Sequence, residues 1–575
     1  MTIERKLLGT SPSGGATDVA DVFSTHLYTG NGTTNTAITT GIDLAGEGGM
    51  VWIKSRTTSE NHGIFDTERQ GANWYLSSDT SAAENQDTSN PMIVSLNSNG
   101  FTLGNNNVTN GGNPFVSWTF RKKEKFFDIV TWSGNFVSGR TINHSLGSVP
   151  AMMIVKSYSD ARSWVVYHKD LGNTGVLSLN TPAAKTTRTI WNSTTPTDSS
   201  FQVDADNDTN GMTGSTAKEY VAYLFADNSA EDADDQMIKC GGYTTSSSGD
   251  SGDVDLGWEP QFVLFKNAGG SDNWIMLDSM RGFHVAGVTD AYIYPNTIAG
   301  EGNANFGHLT STGFRIINQG NSVPYIYMAI RAPMMVEPEA ATDVFAVEQG
   351  NASGSSTVME FDSGFPVDFA ITHDTSGSNH DVMTRLMGPY RLRTQLAEAK
   401  ADTGVNEFAS NIGYHVGSQG SLYIANMWKR AKGFFDVVTY TGSSSAGNLT
   451  INHSLGVPPE LIISKGTSQS QAWRTVFNMN ASTHQYFTTM STAADYASGA
   501  SYGSGYLASQ PTSTTYVVRQ DTGIGTGVDY VAYLFATLAG ISKVGTYTGN
   551  GSSQTISCGF SAGSRFILIK RTDTT

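Results

Sequence analysis

The sequence predicts an all-β chain: a tandem array of antiparallel β-sandwich units, jelly-roll or lectin-like, with one short helix near residues 390–403. Three observations carry this expectation. The phrase TINHSLG at 141–147 returns letter for letter at 450–456, 309 residues further on. An aromatic phrase closes each unit: FVSWTFR (115–121), YVAYLFA (220–226), YIYMAIR (325–331), YIANMWK (423–429) and YVAYLFA (530–536), with starts 105, 105, 98 and 107 residues apart. Gly numbers 62 of 575 and charged residues only 15 %, a balance that favours short strands joined by turns over long helices. A period near one hundred residues is the scale of a sandwich domain and too long for a propeller blade or a solenoid rung.

The repeat places the units at 23–124, 125–230, 234–338, 341–432 (the divergent fourth) and 433–540, with a partial sixth at 541–575. Within the first, FSTHLYTGNG (23–32), GMVWIKS (49–55), GIFDT (63–67), NWYLSS (73–78), MIVSLNSNGFTLG (92–104) and FVSWTFR (115–121) are β-branched and aromatic runs separated by Gly, Asn and Ser. Asn-Gly in NSNGFTL is the signal of a tight hairpin. Each unit also carries an early apolar phrase, ended in five of six cases by lysine: VWIK (51–54), MIVK (153–156), VLFK (263–266), AITH (370–373), IISK (462–465) and ILIK (567–570). In YVAYLFA neither alternating face is polar, so that strand is central in its sheet and covered on its outer side by a loop, the next unit or another chain. In PYRLRTQLAEAKADTG (389–404), Leu392, Leu396 and Ala399 recur at helical spacing, which is the basis for the inserted helix.

Residues 1–22 have charges at the start and a two-leucine apolar core, so they read as an attachment arm and not as a secretory signal. Acidic 227–236 and Pro-containing 333–341 bridge units. No stretch approaches the roughly 18 apolar residues that cross a bilayer as a helix. Cys240 and Cys558 stand at different places in their units and suggest no disulfide framework. The sixth unit opens normally but lacks later strands, so the sequence is expected to be part of a longer gene product.

Candidate chemistry is sparse. His144 and His453 recur in the repeated phrase, but the matching stretch of the first unit, AITTGIDLAG (37–46), has no histidine, which fits a turn. Asp206, Asp208 and Asn210 match the opening of a calcium loop, but its twelfth position is Ala217, with Glu219 two residues late. They are the one metal candidate, and a solvated turn is the simpler reading. Asp66 with Arg69 and Asp278 with Arg281 recur at equivalent places, where the second unit has His168, Lys169 and Asp170; a local ion pair or turn brace is expected. No catalytic or cofactor-binding motif appears, and no cofactor is expected. A formal net charge of −16 makes nucleic acid a poor partner.

The phrases GIDLAGEGGMVWIKSR (41–56), FFDIVTWSGN (126–135), TINHSLGSVPAMMIVK (141–156), YVAYLFA and DLGWEPQFVLFK (255–266) resemble a repeated domain of structural proteins, tail fibre-like, in marine tailed bacteriophages. The resemblance runs from about residue 23 onward and is weak in the fourth unit. It implies a virion component rather than an enzyme: a tail fibre or tail-associated protein, assembled in the bacterial cytoplasm and held to a tail adaptor or tail tube by residues 1–22. It also implies contact with a host-surface glycan or protein and association of identical chains, a trimer among the arrangements allowed. The alternative is a head or neck decoration, or capsid fibre. Neither reading needs membrane insertion.

Overall fold

The computed structural model describes residues 18–232, 235–284, 289–351, 361–374, 380–403, 408, 410–415, 422–442, 447–487, 496–519 and 524–572. The chain divides into two compact bodies. One holds Met1–Phe283, Thr289–His308 and Gly313–Met334; the other holds His284–Val288, Leu309–Thr312 and Met335–Thr575.

The second unit shows the plan. Its large antiparallel sheet runs, in spatial order, Phe127–Ser133, Glu219–Phe225, Met152–Ser157, Val165–His168, Gly175–Ser178 and Thr186–Thr187. A small sheet pairs Arg140–Asn143 with Ser200–Val203. The last strand of the unit therefore inserts between the first and the third. That is why Tyr220–Phe225 is buried along its whole length, with polar residues on neither face. The six-strand order recurs in the third, fourth and fifth units. In the first, the sheet stops after four strands and Trp74–Tyr75 pairs with Asn85–Gln86, joined to it by a bridge between Ile64 and Leu76. The first, fourth and fifth units each have their own core; in the first, Ile38, Leu44, Val51, Ile53, Phe65, Phe101 and Phe115 pack together. Burying side chains of this size contributes about 1.5–3 kcal/mol each.

The repeated phrases now have local reasons. In the second unit the carboxylate of Asp128 (from FFD) accepts the Ser145 N–H at 2.7 Å, and Nδ1 of His144 accepts the Leu146 N–H at 3.3 Å. In the fifth, Asp436 and Ser454 (2.7 Å) and His453 and Leu455 (3.3 Å) repeat both bonds. The histidine is a turn brace. The glycine after the opening strand recurs because two loops meet there. A Cβ on Gly30, Gly134 or Gly442 would lie 2.0–2.2 Å from the carbonyl oxygen of Gly111, Gly211 or Gly525.

Two expectations are corrected. The short helix near 390–403 is absent: Tyr390–Arg393 is a strand paired with Asp381–Thr384, and Ala401–Asp402 pairs with it on the other side. Leu392 is buried while Leu396 is exposed, and Arg391 and Arg393 flank Leu392 and both reach Asp381. The side chains thus alternate with a period of two, and sheet pairing overrides the helical spacing of three apolar residues. The described α-helices are instead single turns, Leu44–Glu47 and Asn107–Asn110. NSNGFTL forms the expected tight hairpin, Ile93–Asn97 with Gly100–Leu103, but its two-residue turn is Ser98–Asn99 rather than Asn-Gly, and Gly100 (φ 128°) already pairs with Asn97. Glycine is required there because a Cβ would lie 2.1 Å from the carbonyl of Ile38.

Residues 1–17 of the expected arm lie outside the described residues. Residues 18–22 belong to the first body, where Val19 and Val22 are buried and a 3-10 turn spans Val19–Asp21. In the partial sixth unit, residues 543–572 are described and form no strand. Among the described residues no helix is long and apolar enough to cross a membrane.

Candidate functional site

The chemistry that recurs from unit to unit lies at the joints between units, and four equivalent positions build it. The first is the residue before the fourth strand: His62, Trp164, Trp274 and, in the fifth unit, Trp473. Nε1 of Trp164 donates to Ser77 O of the first unit at 3.0 Å, and Nε1 of Trp274 to Ser178 O of the second at 3.0 Å. Nε2 of His62 reaches Tyr294 O of the third at 3.2 Å. Ser77, Ser178 and Tyr294 are themselves equivalent, each following the buried residue Leu76, Leu177 or Ile293. The contacts run from two to one, from three to two and from one to three, so the first three units close into a ring.

A backbone bond repeats the same cycle. Glu84 N donates to Tyr158 O (2.8 Å), Lys185 N to Ala268 O (3.0 Å) and Glu301 N to Arg56 O (2.6 Å). Each acceptor lies two residues after the lysine that stands one residue before the end of the third strand. Those lysines are buried, and burial pushes their ammonium groups down, to about 8 for Lys54, about 7 for Lys156 and about 8 for Lys266. Each Nζ is caged by carbonyls of its own turn; Lys156 Nζ also bonds Ser81 O of the first unit at 3.1 Å.

The last position ends the fourth strand, where Asp66, His168 and Asp278 are equivalent. Asp66 Oδ2 accepts the Tyr223 hydroxyl of the second unit at 2.6 Å, and Asp278 Oδ2 accepts Trp118 Nε1 of the first at 3.1 Å. His168 Nε2 bonds Tyr327 O of the third at 3.1 Å. The expected local brace is also present: Arg69 Nε donates to Asp66 at 2.7 Å and Arg281 Nε to Asp278 at 2.6 Å. Inside the ring, Phe120 packs with Phe127 and Phe225 of the second unit and Phe262 of the third at centroid distances of 5.4–6.5 Å. This cross-unit role was hidden from the sequence, because an Asp three residues before an Arg looks local. The signal that points to it is the tryptophan recurring before the fourth strand.

Exchanging Trp274 for phenylalanine keeps most of the packing but strands Ser178 O, so urea unfolding is expected to show a loss of about 1 kcal/mol. The proposed calcium residues stand elsewhere. Asp206 caps its own turn through Asp208 N (2.8 Å), and both carboxylates grip the guanidinium of Arg188 at 2.9 and 2.8 Å. Asn210 faces the other way, bonding Asn135 N at 3.0 Å and Val137 O at 2.9 Å, as Asn110 bonds Asn31 N and Thr33 O in the first unit. The three are therefore not brought together as ligands, and Arg188 already supplies the cation. Millimolar calcium or excess chelator is expected to leave the thermal midpoint unchanged; a rise of several degrees with calcium would show a bound ion. Among the described residues no group of three or more His, Cys, Asp or Glu is placed to hold a metal. Cys240 is a buried free thiol, pushed well above its usual range by burial, and Cys558 is free and half-buried.

A family model described as a Domain of unknown function (DUF7483) matches residues 18–332 and 409–575, and the chain belongs to that family. Its first match spans the closed ring, from the turn before Phe23 to the end of the strand Pro324–Arg331. No curated protein matches the chain.

Proposed function

We propose that the protein is a structural component of a tailed-phage virion, a tail fibre or tail-associated protein held by its N-terminal arm and contacting the host surface. The observation that supports this reading most is the ring of joints. Three sandwiches are locked together by buried hydrogen bonds from tryptophan, tyrosine and histidine, and no substrate is needed to explain those polar groups. Such a body is rigid, and its loops are free to vary without disturbing the joints. The acidic charge and the resemblance of the repeated phrases to phage tail-associated proteins point the same way.

A second reading, a head or neck decoration, draws support from one specific feature. Units one to three close on one another instead of stacking end to end, and a compact knob suits a decoration as well as a fibre tip. Gold-labelled antibody raised against residues 23–230 separates the two on purified particles. Labelling on the tail is the expected result, and labelling on the head favours the decoration. Absence of the chain from purified virions by mass spectrometry overturns both.

A further inference from the structure

One pair of positions in the repeat changes its chemistry in the fourth unit. In units one, two, three and five the lysine near the end of the third strand stands opposite the residue before the fourth strand: Lys54 and His62, Lys156 and Trp164, Lys266 and Trp274, Lys465 and Trp473. Each pair lies one step beyond the last register partners of its two strands, as Lys54 and His62 follow Ile53 and Gly63. The ammonium of each lysine is held by backbone carbonyls; Lys465 Nζ, for example, bonds Ala397 O, Glu398 O and Gly466 O at 2.7–3.1 Å. Each of these four pairs thus contains one cationic side chain and carbonyls that face it.

The fourth unit has two imidazoles in this place. AITH (370–373) is the one apolar phrase of the six that is not closed by lysine. His373 is the fifth residue of the strand Phe369–Asp374, and His380 immediately precedes the strand Asp381–Thr384. Thr372 faces Asp381, so His373 and His380 are the next opposite pair, with both side chains on one face of the sheet. Their rings lie 4.8 Å apart between centroids, with planes at 33°. His373 is half-buried and His380 exposed, so water reaches the pair.

The ring separation matches a known chemistry. Two imidazoles on one tetrahedral ion, with metal–nitrogen bonds of about 2.0–2.1 Å, have ring centres about 5 Å apart. A neutral imidazole offers a nitrogen lone pair, whereas an ammonium offers none. The two strands hold both rings together before any ion arrives, so the second ligand is presented at high effective concentration. Imidazole nitrogen selects zinc, copper and nickel, whereas calcium and magnesium take oxygen ligands.

We infer that His373 and His380 together bind one divalent transition ion of the zinc class, with water completing its shell. The ion supplies the positive charge that lysine brings in the other units, and it ties Phe369–Asp374 to the start of Asp381–Thr384. Two protein ligands and water make a weaker and more readily exchanged site than the four-ligand structural ones. Both ligands belong to one unit, and the inference is independent of the virion reading.

The test titrates zinc chloride into the full chain, followed by calorimetry, beside His380→Gln and His373→Lys, which restores the lysine of the other units. The unsubstituted chain is expected to take up zinc at a site that millimolar calcium does not displace. Either exchange is expected to weaken that binding on the order of 100-fold, as loss of one of two linked ligands does. Thermal unfolding in excess chelator checks that both variants fold. X-ray absorption of the zinc-loaded chain needs no variant and is expected to show two imidazole nitrogens at about 2.0–2.1 Å. No zinc uptake, uptake that both folded variants retain, or an absorption spectrum without imidazole nitrogens would each overturn the inference.

Discussion

Asp278→Leu is expected to destabilise the first body by about 3–5 kcal/mol, the range for leaving one member of a buried ion pair uncompensated. The side chains of Asp278 and Arg281 are both 0 % exposed, so Arg281 would keep its charge without the carboxylate that accepts its Nε and backbone N–H. Glu301, at 3.3 Å from Arg281 Nη1, is a second acidic neighbour and is already bound to Arg56. Trp118 loses its acceptor at the same stroke, so the joint between the first and third units weakens together with the turn. The double variant Asp278→Leu, Arg281→Met removes the stranded charge and is expected to recover a large part of the loss. Urea unfolding of the three proteins decides it: a double variant no more stable than Asp278→Leu alone would show that packing, not the stranded charge, sets the cost.

Acid is expected to open the ring through its histidines. His62 Nδ1 accepts Trp52 Nε1–H at 2.9 Å while its Nε2 donates to Tyr294 O. His168 Nδ1 accepts Asp170 N–H at 3.2 Å while its Nε2 donates to Tyr327 O. Both rings must be neutral with the proton on Nε2, since a second proton would face an N–H donor. Burial lowers His62 to about 3, assisted by Lys54, and His168 to about 4, where Lys169 adds to the lowering and Asp170 and Asp227 oppose it. Because the folded values lie below the usual 6.5, the unfolded chain binds more protons in this window. Their contribution is complete above pH 6.5 and is lost as the pH falls toward 4, by roughly 3 kcal/mol per histidine at the limit. Asp79 and Glu84, whose carboxyls burial raises, take up protons in the folded state and offset part of that slope. Thermal unfolding between pH 7 and 4.5 is expected to show a falling midpoint. His168→Gln, which keeps a donor toward Tyr327 O without titrating, is expected to flatten the curve; an unchanged slope would place the acid sensitivity elsewhere.

Much of the fold was legible because sandwich strands bury alternate or all residues in place. Tyr220–Phe225 could be read as a doubly buried central strand from its lack of any polar face, and the recurring histidine as a turn brace from its absence in the first unit. The helix over 390–403 misread three apolar residues whose neighbours, Arg391 and Arg393, follow the sheet period and pair with Asp381. The partner of Asp206 and Asp208 was hidden for a related reason, since Arg188 lies 18 residues from Asp206 in sequence but directly beside it in space.

By itself the sequence determined the repeat, its length, the strand-rich units and the positions that recur within them, because these depend on local pattern and on the burial each strand needs. Only the tertiary structure decided what covers the closing strands, that the first three units meet in a cycle, and that Asp66, His168 and Asp278 reach across joints. The contacts of Asp66, His168 and Asp278 join residues more than 150 positions apart, and hydrogen bonds to backbone carbonyls such as Ser77 O or Tyr294 O carry no side-chain signature. Any residue presents a carbonyl, so no pattern in one chain announces which carbonyl a tryptophan in the next unit will find.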